Sequence, residues 1–224
     1  MTLRNLAKNL CFFLPVAALL VSGVWAQKPP TAAVDEVARL VDNHYNQLHS
    51  LKAGFSERYD GMGMSRTESG TLLLLKPGRM RWDYSSPPGK VFLLDGKYAW
   101  SYARGAAQVQ RFPVKQLDDL RSPLSFLLGH TQLEKELTSL TLSTGAEGQF
   151  ALTGQPKGQQ NRVRQIKLSV TASGAITSIE IEETDGALTR FMFTDEQPNA
   201  AVPEGAFRFT APPGVPVVDG LPPV

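Results

Sequence analysis

A mainly β fold, an antiparallel meander preceded by one helix, is what this sequence predicts. Three observations carry it. After Pro29-Pro30, apolar residues recur at spacings of three and four in a single stripe that ends near His49. From Leu51 to Phe112, six short runs rich in β-branched, aromatic and leucine residues are separated by turn residues. A second block of similar runs follows Leu137, with helical pieces between the blocks.

The first residues form a leader. Arg4 and Lys8 make a positive start, residues 10–24 are almost wholly apolar, and Val24-Trp25-Ala26 offers small side chains where a signal peptidase reads. Cleavage before Gln27 divides the chain into a signal peptide (1–26), one domain (27–219) and a short flexible tail (220–224). The competing reading, a membrane anchor, suffers because a bilayer span takes about 20 apolar residues. Cys11, the only cysteine, falls within the leader and has no lipobox-like context. The exported chain therefore has no disulfide and must hold together by burial. Its charge also changes. The 23 Lys and Arg include Arg4 and Lys8, so residues 27–224 carry 21 basic against 21 acidic side chains. No basic stripe with interleaved aromatics stands out, which argues against a nucleic-acid partner.

Thr31 is placed to cap the helix, and Val34, Val37, Val41, Tyr45 and Leu48 form its apolar stripe. The six strands of the first block are read at 51–59, 68–75, 79–84, 90–94, 97–102 and 108–112. Those of the second are LTLS, QFALTG, RVRQIKLSV, AITSIEIEET, ALTRFMFT and AFRFT. The closing APPGVPVVDGLPPV is Pro-rich and read as extended with a loose end.

Two turns set expected registers. Asp95-Gly96 predicts a two-residue hairpin pairing Leu93 with Tyr98 and Val91 with Trp100. Pro77-Gly78 predicts pairing of Leu75 with Met80 and Leu73 with Trp82. One face would then collect Leu73, Leu75, Met80, Trp82, Tyr84, Val91, Leu93, Tyr98, Trp100 and Tyr102. The other would still hold Leu72, Leu74, Phe92 and Leu94 beside Arg81, Asp83 and Lys97. A one-sided antiparallel sheet would be more polar there. Either both faces are covered, or the aromatic face lines a cavity that takes a guest. RSPLSFLLGHTQL bears on that choice. Ser122 is a candidate N-cap, Pro123 sits at N1 and Gly129 ends the turn. Leu124, Phe126, Leu127 and Leu128 make the piece apolar nearly all round, so it is either sandwiched or a movable cover.

Catalytic patterns are thin. His44 and His49 lie about 140° apart around a helix, too far round to share a metal, and His130 stands alone. There is no H-E-x-x-H motif and no G-x-S-x-G elbow. GMGMSR (61–66) departs from a dinucleotide loop at Arg66 and reads as a hairpin turn. Glu180, Glu182 and Glu183 alternate with isoleucines as a strand's polar face does. No enzyme, metal or cofactor is expected.

The ordered set F-S-E-R (55–58), S-G-T-L (69–72), K-P-G-R-M-R-W-D-Y (76–84), L-L-D-G-K-Y-A-W-S-Y (93–102), S-P-L-S-F-L-L-G (122–129) and F-R-F-T-A-P-P-G-V-P-V (207–217) resembles the periplasmic outer-membrane lipoprotein carriers of the LolA family. The likeness runs over residues 32–219. It implies an open, strongly curved antiparallel half-barrel covered by a lid of short helices. It further implies a monomeric periplasmic carrier whose partners are acylated lipoproteins, an ATP-driven (ABC) transporter of the inner membrane that releases them, and an outer-membrane acceptor. The lid would comprise the helix bearing Val34, Val37, Val41 and Tyr45 and the piece bearing Leu124, Phe126, Leu127 and Leu128. Lys76 stands where many members have an arginine that holds the lid through its backbone carbonyls; lysine keeps the charge without the planar fork. A lipid-binding or envelope-stress-sensing module of similar fold, which does not shuttle lipoproteins, is the alternative.

Overall fold

The computed structural model describes residues 31–114 and 132–220. The leader with Cys11, the Ser122–Gly129 piece with Leu124, Phe126, Leu127 and Leu128, and residues 221–224 lie outside them.

Helix α1 spans Thr31–Asn46. Val34, Val37, Ala38, Val41 and Tyr45 form its buried ridge, as the spacing requires. The helix stops three residues short of His49, where the Leu48 amide turns back to the Tyr45 carbonyl at 3.2 Å and the chain enters the first strand. The strands are β1 (Ser50–Gly61), β2 (Met64–Leu75), β3 (Arg79–Ser86), β4 (Val91–Leu94), β5 (Tyr98–Tyr102) and β6 (Val109–Pro113). A helical turn, α2 (Leu133–Glu136), precedes β7 (Leu137–Thr144), β8 (Phe150–Pro156), β9 (Val163–Val170), β10 (Ile176–Glu183), β11 (Leu188–Pro198) and β12 (Val217–Asp219).

All twelve strands form one open, curved sheet in the order β12-β6-β5-β4-β3-β2-β1-β11-β10-β9-β8-β7. Two meanders are joined where β1 pairs antiparallel with β11. The β1–β2 hairpin keeps its register from Ser50↔Leu75 to Gly61↔Met64. Its turn, Met62-Gly63, has φ of 52° and 72°, as a type I′ turn demands; GMGMSR is that turn. AFRFT is not a strand. Its two phenylalanines instead lie across the sheet, as described below. The Pro-rich closing segment does supply a strand, with Val217–Asp219 running parallel to β6.

Both expected hairpin registers shift. In β4–β5 the pairs are Leu93↔Trp100 and Val91↔Tyr102, two residues from expectation. Asp95 causes this: its Oδ1 accepts the amides of Lys97 and Tyr98, each at 2.7 Å, which places Gly96-Lys97 at the turn's centre. A shift of two leaves the faces unchanged. In β2–β3 the pairs are Leu75↔Arg79, Leu74↔Met80 and Leu72↔Trp82. Here the loop has three residues, Lys76-Pro77-Gly78, and the slip of one exchanges the faces.

The ten residues expected on one face therefore divide. Met80, Trp82 and Tyr84 lie with Leu72, Leu74, Phe92 and Leu94. Leu73, Leu75, Val91, Leu93, Tyr98, Trp100 and Tyr102 lie on the opposite side with Arg79, Arg81 and Asp83. Curvature identifies the concave side. Strands β3 and β11 are three positions apart, about 14 Å in a flat sheet, yet the rings of Trp82 and Phe191 are 5.7 Å apart. The Trp82 face is thus the inner one, and α1 packs on it in a cluster running from Phe112 to Leu152.

Residues 202–209 cover part of the outer face, and the chain beyond them joins the sheet's edge as β12. Phe209 stacks on Trp100 at 5.4 Å and 17°, and Phe207 is buried beneath the Arg79 guanidinium. Arg81 donates to the Ala206 carbonyl at 2.9 Å, and Arg111 pairs with Asp219 at 2.8 Å. Two covered faces explain the run Leu72-Leu73-Leu74-Leu75: alternate leucines serve opposite layers.

Candidate lipid-binding face

The inner face is built from alternate residues of long strands. Phe55 on β1, Trp82 and Tyr84 on β3, and Phe191 and Phe193 on β11 converge because the sheet curls. Phe55 meets Trp82 edge-on at 4.5 Å and Tyr84 at 5.1 Å. Phe193 lies 6.4 Å from Trp82. Trp82 is only 4% exposed, whereas Tyr84, Phe191 and Phe193 are half-buried. Each Phe, Tyr or Trp side chain offers about 150–250 Å² of mostly apolar surface, so this trough suits hydrocarbon.

A polar network closes the floor beyond Tyr84. Glu57 and Glu68 oppose each other across β1 and β2, an arrangement that needs cations. Lys90 supplies one, 2.5 Å from Glu68 and 4.2 Å above the Tyr84 ring. Arg66 lies 3.5 Å from Glu68 and 3.9 Å from Glu57. Tyr84 donates to Glu57 at 3.4 Å. Burial above all, with the Glu68 charge, holds the Glu57 carboxyl above its ordinary value, against the opposing pull of Lys90. Burial and Glu57 likewise push the Tyr84 phenol up.

At the other end, α1 is fastened at its last turn. Lys76 Nζ donates to the Tyr45 carbonyl at 2.6 Å, and partial burial lowers its pKa below the usual lysine value. Tyr45 OH accepts the Ile176 amide at 3.0 Å and reaches Glu196 Oε2 at 3.4 Å. His44 Nε2 lies 2.6 Å from Glu196 Oε1. Burial first, then the Glu196 charge, drives the Tyr45 phenol far above its ordinary value, so it remains a donor. Gly174, at φ 86°, permits this approach; a Cβ there would lie 2.2 Å from the Leu40 carbonyl oxygen of α1. At α2, the Leu133 amide donates to Asp42 at 3.0 Å.

Beneath this fastening a cavity of about 10 Å³ remains, lined by Tyr45, Leu51, Ala53, Leu72, Ile176, Ile179, Phe193 and Glu196. It has room for about one water. A larger, half-open cleft of about 440 Å³ lies on the outer side, but Arg79, Asp95, Glu204 and Arg208 line it, and such charges suit no acyl chain.

Sequence reasoning missed Phe55, Phe191 and Phe193 as trough residues, and Glu196 as a contact of α1. The alternation Phe191-Met192-Phe193 was the available signal for two of them. Glu180 pairs with Arg190, and Glu182 with Arg164 at 2.6 Å, so these carboxylates belong to the sheet's ion pairs.

A family profile described as "Outer membrane lipoprotein carrier protein LolA" matches residues 46–210. The chain belongs to the LolA family. Among relatives in that family, an outer-membrane lipoprotein carrier protein of Chromobacterium violaceum is 31% identical over 76% of this chain and 82% of its own length. One from Neisseria meningitidis serogroup C is 28% identical over 94% of this chain and 97% of its own. A crystal structure of an uncharacterized conserved protein from Thermus thermophilus superimposes with a TM-score of 0.54 at 13% identity. It covers 84% of this chain and 99% of that one, a likeness of fold alone.

Proposed function

We propose that this LolA-family protein carries lipoproteins by sheltering their acyl chains against the inner face of its sheet, with α1 as a lid. The observation that carries the reading is an aromatic trough joined in one core cluster with α1, a helix whose last turn is tied to the sheet by a few polar contacts. A lipoprotein anchor of three acyl chains has roughly 45 methylenes. At about 0.8 kcal/mol each, exposing them to water costs tens of kcal/mol. A carrier crossing an aqueous compartment must offer comparable apolar surface and still let go. A roof that competes with the cargo serves both needs: it fills the trough when empty and weakens net binding when loaded. With the present cavity holding about one water, loading requires α1 to lift.

On this reading the protein works in the periplasm after losing residues 1–26. It receives cargo from an inner-membrane lipoprotein-releasing ABC transporter and passes it to an acceptor at the outer membrane. Its activity is binding and release, with no covalent step, and Lys76 is one of the lid's fastenings. The test is co-purification of lipoprotein with folded variants. Phe193→Glu and Trp82→Glu should abolish it, whereas Trp100→Glu, on the outer face, should retain it. Normal cargo on a folded Phe193→Glu protein would remove the trough from consideration.

A further inference from the structure

Strand β11 contains one irregularity, and it falls under the lid helix. Thr194 pairs with Gly54 and Gln197 with Lys52, so two residues of β11, Asp195 and Glu196, stand opposite one of β1. Asp195 sits at φ 52°, in the left-handed region that aspartate tolerates and most residues avoid. In a regular strand Phe191, Phe193 and residue 195 would face inward. The extra residue turns Asp195 out to solvent and swings Glu196 onto the inner face instead. Re-aiming one side chain is a recurring use of a bulge.

The swung carboxylate meets two groups of α1 and a cavity at once. Its Oε1 is 2.6 Å from His44 Nε2 and its Oε2 is 3.4 Å from Tyr45 OH, both on the last turn of α1. It also lines the cavity left under that helix, beside Leu72 and Phe193. Lys76 differs in each respect: it holds a backbone carbonyl from a loop and does not line the cavity.

From this geometry we infer that Glu196 is a second fastening of α1, the one that couples the lid to the contents of the trough. The inference rests on the carrier reading. Hydrocarbon entering between Leu72, Phe193 and the Tyr45 ring has to displace the tyrosine, and Glu196 loses Tyr45 and His44 together. The contacts surrendered oppose cargo uptake and favour its release. Glu196 is thus a positioning residue, setting affinity from the lid's side without serving as the acyl-binding surface.

The experiment uses the full mature chain and a tripalmitoylated cysteinyl peptide as probe. Kd is measured by fluorescence, and release by transfer to phosphatidylethanolamine–phosphatidylglycerol vesicles. Glu196→Gln should bind about tenfold more tightly, the scale of one hydrogen bond to a charged group, and should release more slowly. His44→Gln, a milder change, should move in the same direction. The double variant should add little to either single change, because both break one contact. Amides of α1 should exchange faster with solvent while those of β9 and β10 keep their protection, a split that a purely structural role would not give. Parental or weaker binding by both single variants, with α1 still protected, would overturn the coupling while leaving the carrier reading intact. Failure of the unaltered protein to take up the lipopeptide would overturn both.

Discussion

The two faces of strands β3–β5 are covered by chain of opposite character. Over the inner face lies a helix with its own internal hydrogen bonds, joined to the sheet's end by Lys76, His44 and Tyr45. Over part of the outer face run residues 202–209, and the chain that follows them is bound through its backbone to the sheet's edge. Val109 donates to the Pro216 carbonyl, Gly220 to the Arg111 carbonyl, and β12 completes the ladder beside β6. A helix that lifts loses side-chain packing and a few polar contacts but keeps its backbone satisfied. An extended segment that lifts leaves donors and acceptors bare along its length. The contrast teaches which cover can move. On the carrier reading, the inner cover is the one that exchanges its contacts for those of a ligand.

The largest effect that would break this comparison lies at Leu93, fully buried on the outer face. Leu93→Ala should lower unfolding free energy by about 2–5 kcal/mol in urea denaturation, while folded molecules bind lipopeptide as the parent does. Weakened binding per folded molecule would show that the outer layer also takes part. Next comes Lys76. Lys76→Met removes the bond to the Tyr45 carbonyl, worth about 1–3 kcal/mol as a charge-assisted contact, and should raise lipopeptide affinity. Lys76→Arg should restore parental affinity or lower it further, since a guanidinium offers more donors. Equal affinities for all three would take Lys76 out of the fastening.

The smallest effect sharpens the description of the trough's far end. Glu57 titrates above 4.5 in the folded chain, chiefly because it is buried. The native state therefore binds more protons than the unfolded one around and above that pH, and stability falls as pH rises through this window. Glu57→Gln removes the loss. Its stability relative to the parent should be lowest near pH 4 and should grow toward pH 7, read from urea midpoints. An advantage independent of pH would point to packing instead of ionisation.

How much was legible in the sequence differed from hairpin to hairpin. Helix α1 was plain because its stripe of valines has one period and one possible face. The faces of β4 and β5 were correct although the pairing was not, since a slip of two residues conserves side. At β2–β3 a single extra loop residue sent Leu73 and Leu75 to the opposite layer from Trp82. Loop length, and not composition, decides side, and Lys76-Pro77-Gly78 admits both a two- and a three-residue turn. AFRFT failed for another reason. Its alternating phenylalanines record that one side is buried, but they are silent on whether the partner is a strand edge or a sheet face. The Asp195 bulge carried no local signal; without it Glu196 counts outward.

Pairing of β1 with β11 sets Phe55 against Phe193, residues from opposite ends of the described chain. The trough has no floor until the last long strand has docked, and so distant a pairing is slow to form. During synthesis and export, which proceed from the amino terminus, the two halves of the floor stay apart. Phe55, Trp82 and Tyr84 gain Phe191 and Phe193 only when β11 docks, so the trough's five rings come together with completion of the fold.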